Sequence, residues 1–168
     1  MFGLFKKKNN DETNDKNLSL LSAVDGKLIP LSEVPDPVFA EKMAGDGVAV
    51  DPTGDTIVAP ADGTLSLIFK TKHAFAMTLD NGIELLVHIG IDTVSLNGEG
   101  FEQLTEEGSV VKAGTPIIKI DRQIIKDKGL SLITPILITN PDIASEIIPN
   151  NITDVKAGES KVLSYMMK

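Results

Sequence analysis

The chain has 168 residues, 42% of them apolar and 24% charged, with a net charge of −8 and no cysteine. That length suits one well-buried globular domain, and no apolar run approaches the roughly 20 residues needed to cross a bilayer. The acidic balance argues against nucleic acid, whose phosphates demand a basic surface, and the lack of thiols excludes disulfides, a cysteine nucleophile and thiolate metal sites.

Met1-Phe2-Gly3-Leu4-Phe5 precedes Lys6-Lys7-Lys8, and residues 9–17 are almost all polar. A secretory signal carries its charges ahead of a longer apolar region, so residues 1–17 read as a flexible polar tail. With Phe2, Leu4 and Phe5 beside three lysines, residues 1–8 offer at most a weak contact with a membrane surface. Residues 18–168 are expected to form a single domain.

From Leu18 onward the pattern is of short strands separated by turns. Val24-Asp25-Gly26-Lys27-Leu28, Ala61-Asp62-Gly63-Thr64-Leu65 and Val111-Lys112-Ala113-Gly114 set glycine beside a β-type run. Ile117 to Ile120, Ile133 to Ile138 and Lys161 to Leu163 are short and rich in branched residues. This predicts an all-β fold, an antiparallel sandwich or barrel. Three short helical turns are expected. Pro37 to Lys42 follows Asp36, a good N-cap with proline at the first helical position. Asp121 to Lys128 is closed by Gly129, and Asp142 to Ile147 follows Pro141. Two echoes, Ala23–Leu28 with Pro60–Leu65 and Val111–Gly114 with Val155–Gly158, are what a fold of two related halves would leave behind.

Asp80-Asn81-Gly82 between apolar runs predicts a tight hairpin. With Asn81-Gly82 as a two-residue loop, Asp80 faces Ile83, His88 faces Phe75 and His73 faces Gly90. Facing residues share a side of the sheet and side chains alternate. The only two histidines of the sequence thus become diagonal neighbours, about 7–8 Å apart at the backbone. A four-residue loop keeps this arrangement, whereas a three-residue loop sends the rings to opposite faces.

Two adjacent imidazoles leave three chemistries open. One ring can accept a phosphoryl group while the second stabilises its oxygens. The pair can ligate zinc, with Glu84 or Asp92 as the third ligand. Or they are half-exposed strand residues with no chemistry. The neighbours favour the first: branched aliphatics bracket His88, Gly90 leaves room over His73, and the Thr71 hydroxyl can hold the His73 tautomer. Phe39, Phe69 and Phe75 form either an apolar docking rim or part of the core.

Pro35-Asp36-Pro37-Val38-Phe39-Ala40-Glu41-Lys42-Met43, Gly45-Asp46-Gly47, Val58-Ala59-Pro60, Lys72-His73-Ala74, Glu84-Leu85-Leu86-Val87-His88-Ile89-Gly90-Ile91-Asp92-Thr93-Val94 and Gly98-Glu99-Gly100-Phe101 together carry a resemblance. From about Leu18 to Lys168 the chain resembles the glucose-type IIA component of the bacterial phosphoenolpyruvate-dependent sugar phosphotransferase system. The resemblance implies an antiparallel β-sandwich of the duplicated hybrid type and a cytoplasmic phosphoryl carrier. Phospho-HPr would deliver the group to Nε2 of His88, and the IIB domain of a sugar permease would receive it. His73 matches the histidine needed for onward transfer, Thr71 the residue that hydrogen-bonds it, and Gly90 the one whose carbonyl orients the acceptor. Asp36 and Asp92 match acidic residues that meet the basic donor, and Val38, Phe39, Phe69 and Val94 match its apolar docking rim. Leu86 departs from members with an aromatic residue there, which bears on partner preference. No cofactor and no resident metal are called for. A regulatory protein switched by phosphorylation of His88 would use the same face. A biotinyl or lipoyl carrier is excluded, because the hairpin tip offers no lysine.

Overall fold

Alternating apolar residues throughout residues 18–168, the part of the chain that the computed structural model describes, produce short strands joined by turns. The expected tail over residues 1–17, with its membrane contact through residues 1–8, lies outside the described residues. In chain order the strands are β1 (Ser19–Leu21), β2 (Gly26–Pro30), β3 (Asp46–Pro52), β4 (Thr56–Val58), β5 (Gly63–Ile68), β6 (Ala74–Thr78) and β7 (Glu84–His88). They continue as β8 (Phe101–Gln103), β9 (Val110–Val111), β10 (Pro116–Ile120), β11 (Thr134–Ile138), β12 (Ala144–Pro149), β13 (Asp154–Val155) and β14 (Lys161–Met167).

Every pairing among them is antiparallel. The main sheet runs β13-β2-β3-β11-β7-β6-β5-β9, and two three-stranded sheets, β1-β14-β12 and β4-β10-β8, complete the sandwich. Period-two alternation divides the main sheet cleanly. Val48, Val50, Phe75, Met77, Leu85, Val87, Ile136 and Ile138 enter the large core with Leu20, Val162, Leu163 and Tyr165 of the smaller sheets. Their neighbours Ala49, Leu86 and Leu137 point the other way, into a small second cluster with Leu31, Val34, Phe39 and Ile91. His88 has the parity of Leu86, so the strand delivers it to this outer face.

The two sequence echoes mark a duplication. Read inward from its two ends, the main sheet matches β13 with β9, β2 with β5, β3 with β6 and β11 with β7. The echoes pair alike, Val155 with Gly26 and Val111 with Gly63. Asp25 accepts from the Ala157 amide at 2.7 Å, and Asp62 accepts from the Ala113 amide at 2.8 Å. The two turns meet at Gly114 and Gly158, where a Cβ on Gly158 would lie 2.9 Å from Gly114 Cα.

Two of the three expected helices form. The Asp36 carboxylate accepts from the Val38 amide at 2.9 Å and caps α1 (Pro37–Ala40). Asp121 likewise caps α2 (Arg122–Asp127) through the Gln123 and Ile124 amides. The third expectation fails. Only Pro141–Ile143 makes a short 3₁₀ turn, and Ala144 onward is strand β12. Its residues pair with β14 from Ala144↔Met167 to Pro149↔Leu163, so ladder formation outweighs local helical preference.

Candidate functional site

The β6–β7 hairpin closes on a three-residue loop, Asp80-Asn81-Gly82, with Leu79 N–H bonded to Ile83 C=O at 2.9 Å. Its register sets Ala74 opposite His88 and Thr78 opposite Glu84. The expected two-residue loop and its pairings are therefore corrected by one position. Unbroken alternation would now separate the histidines, yet their rings stand 5.0 Å apart, edge to face. They meet because His73 lies outside the regular strand. It follows Lys72, whose φ of 58° turns the chain between β5 and β6, so the alternation rule ends at Ala74. The Ile89 amide, bonded to the His73 carbonyl at 2.7 Å, locks the two segments together.

The ring nitrogens have defined partners. His88 Nδ1 is 2.7 Å from the Gly90 carbonyl. A carbonyl only accepts, so Nδ1 carries the proton and Nε2 of the neutral ring keeps its lone pair. Thr71 Oγ1 lies 2.5 Å from His73 Nδ1. Burial holds the His88 pKa below 6.5, while the Gly90 carbonyl and the charges of Asp36 and Asp92 oppose that fall. His73, only 4% exposed, is pushed down to about 4, first by burial and then by the neighbouring His88. Both rings are thus neutral at pH 7, and His88 offers a nucleophilic nitrogen without needing a base to deprotonate it.

The surroundings sort the other candidates. Phe39 packs on His88 with ring centroids 4.9 Å apart, and Phe69 stands edge-on to His73 at 5.4 Å. Phe39 is itself buried, at 6% exposure, so it backs the His88 ring rather than facing solvent. Val38 and Val94 are the exposed apolar residues of this group, while Asp36 is half-buried and Asp92 exposed. Phe75 belongs to the main core and takes no part in the rim.

Gly90 also needs a correction. Its place is not to leave space above His73. It adopts φ 76°, and an added Cβ would meet Thr93 Cγ2 at 2.6 Å and the Ser131 carbonyl oxygen at 2.8 Å. Only glycine combines that backbone with that approach. Thr93 and Ser131 were not singled out by the sequence reading: a threonine in the loop after β7 carries no local signal of its hydrogen bond, and Ser131 is 41 residues beyond Gly90 by numbering. Among the described residues, no group of three His, Cys, Asp or Glu side chains is placed to hold a metal ion. No helix among them is long and apolar enough to cross a membrane.

Fold and site together define a β-sandwich protein presenting a neutral, oriented imidazole nucleophile beside a second neutral imidazole. The family model for the phosphoenolpyruvate-dependent sugar phosphotransferase system, EIIA 1, matches residues 18–143. The chain belongs to that family.

The glucose-specific EIIA component of Oceanobacillus iheyensis is 44% identical over 163 residues, covering 97% of each chain. That of Haemophilus influenzae is 45% identical, over 96% of this chain and 98% of the relative. The glucose-specific EIIBCA component of Corynebacterium glutamicum is 49% identical over 131 residues, which is 78% of this chain but 19% of that longer protein. Among solved structures, glucose permease IIA from Mycoplasma capricolum superposes with a TM-score of 0.81 at 38% identity, covering 87% of this chain and 94% of that one.

Proposed function

We propose that His88 is the phosphoryl acceptor of this EIIA protein and that His73 serves the onward step. The observation that carries this reading is the His88 Nδ1–H bond to the Gly90 carbonyl, which leaves Nε2 unprotonated within reach of a second neutral ring. In the forward step an N–P bond forms at His88 Nε2 as the N–P bond of phospho-HPr breaks in line. With the Thr71 hydroxyl donating to His73 Nδ1, the His73 proton sits on Nε2, where it donates to a phosphoryl oxygen as charge develops. The group then passes to a cysteine of a IIB domain, forming an S–P bond as the N–P bond at His88 breaks. Relatives in which an EIIA segment shares one chain with EIIB and EIIC parts support that acceptor.

Asp36 and Asp92 supply the negative charge that meets a basic donor, and Val38 and Val94 supply apolar contact beside it. Residues 18–168 act in this reading as one carrier unit, working in the cytoplasm. The test is intact mass after incubation with phosphoenolpyruvate, enzyme I and HPr. Wild type and His73→Ala should each gain one acid-labile phosphate and His88→Ala none, with His73→Ala failing to phosphorylate a IIB domain. Phosphate on His88→Ala, or none on wild type, overturns the assignment.

A further inference from the structure

The orientation of the Gly90 carbonyl is the hinge of the site, since it decides which nitrogen of His88 carries the proton. Two peptide planes flank Gly90, and rotation about either would turn that carbonyl away. The plane after Gly90 is tied by the Ile91 amide, which donates to the Ser131 carbonyl at 3.0 Å. The plane before it ends in the Ile89 carbonyl. There the Thr93 hydroxyl donates at 2.6 Å, four residues back along the chain. Thr93 is wholly buried, a polar side chain at 0% exposure. Its methyl lies so close to Gly90 that a Cβ there would come within 2.6 Å of it. Asp92, with φ 59°, turns the chain so that Thr93 opens a 3₁₀ turn and faces back into the loop.

We infer that Thr93 is a positioning residue for phosphoryl acceptance: its hydroxyl holds the Ile89–Gly90 peptide so that the Gly90 carbonyl meets His88 Nδ1 and Nε2 stays free. It touches neither the ring nor a substrate. Its action passes through one carbonyl and one backbone rotation. The adjoining His88–Ile89 peptide carries the Ile89 amide bonded to the His73 carbonyl, so loosening its neighbour disturbs the spacing of the two rings as well. A buried carbonyl left without its donor seeks another, and the conformation of Gly90, the most permissive residue, is what yields.

The inference rests on His88 being the acceptor, and its test separates the two ideas. The variants are Thr93→Val, which keeps the shape and loses the hydroxyl, and Thr93→Ser, which keeps the hydroxyl and loses the methyl. Nitrogen-15 NMR of histidine-labelled full chain reads the His88 tautomer at neutral pH, and the initial rate of phosphorylation by phospho-HPr is measured alongside. Thr93→Val should show a mixture of His88 tautomers and a rate about tenfold lower, as expected for one lost positioning bond. Thr93→Ser should keep the Nδ1–H form and a rate within about twofold of wild type. A Thr93→Val protein with the wild-type tautomer and rate overturns the inference. So does a folded Thr93→Ser protein that loses the tautomer, which keeps the test decisive if Thr93→Val does not fold. If wild type takes up no phosphate, the acceptor reading fails while the tautomer comparison still judges Thr93.

Discussion

Burying a neutral histidine ties folding to pH, and His73 allows the size of that coupling to be worked out. In the folded chain its pKa lies at about 4 rather than 6.5. The ring is almost wholly enclosed, so solvent screening does little to weaken the effect. At about 1.36 kcal/mol for each tenfold step in proton affinity, the difference amounts to about 3 kcal/mol. The unfolded chain binds this proton more readily, so stability falls as pH drops from 6.5 towards 4 and loses nothing further from His73 below that. At about pH 5 the unfolded histidine is nearly all protonated and the folded one about a tenth, a loss of about 2 kcal/mol relative to neutral pH. His73→Gln keeps a polar partner for Thr71 and cannot take the charge. Urea unfolding of both proteins at pH 7.5 and at pH 5 isolates the contribution, because carboxylates are common to both. Wild type should lose about 2 kcal/mol more than the variant over that interval. Equal losses, or a His73 resonance titrating near 6.5, would refute the reasoning.

Substitutions at two further positions test the supports of His88. Asp36 both caps α1 and raises the pKa of His88, and the two roles separate by chemistry. Asp36→Ala should cost about 1 kcal/mol of stability and Asp36→Asn much less, since the amide oxygen still caps. Both should lower the His88 pKa in an NMR titration, and an unchanged titration in either would remove Asp36 from the electrostatics of the site. Gly90→Ala places a Cβ against Thr93 and the Ser131 carbonyl in a left-handed conformation. It should cost at least about 2 kcal/mol in thermal unfolding and slow phosphorylation, and a variant of wild-type stability would show that the brace is slack.

The position of α1 shows how the two halves of the duplication cooperate. The connection from β2 to β3 carries the 3₁₀ turn Leu31–Glu33 and α1, whereas its counterpart from β5 to β6 is the short turn holding His73. The longer connection brings Phe39 onto His88 of the other half and walls the ring with apolar surface. One half thus supplies the imidazoles and the other the desolvation that keeps His88 neutral. The outer face of the sheet needs this cover, because Leu86 and Leu137 point there.

Features set by near neighbours were legible in the sequence. Short branched runs marked β10, β11 and β14, the Asn81-Gly82 turn marked the β6–β7 hairpin, Asp36 announced α1 and Gly129 the end of α2, and the two echoes were the visible trace of a duplicated sheet. The pairing of His73 with His88 was legible too, since only two histidines were available and the motif around them is distinctive. Register and burial were not. Asn81-Gly82 suits more than one loop length, and the structure settles on three residues with Leu79 and Ile83 buried and Asn81 bonded to the Tyr165 hydroxyl, 84 positions along the chain. Residues 144–147 carry no mark that favours strand over helix until β14 lies beside them. The two rings meet through the turn at Lys72 and the bend at Gly90. The proton on His88 is placed by the Gly90 carbonyl, whose neighbours on either side, the Ile89 carbonyl and the Ile91 amide, are bonded to Thr93 and Ser131. By itself the sequence determined which side chains could do the chemistry, because periodicity, capping and motif are local. The tertiary structure alone decided that they stand together and uncharged, because contact and desolvation belong to packing between segments distant in the chain.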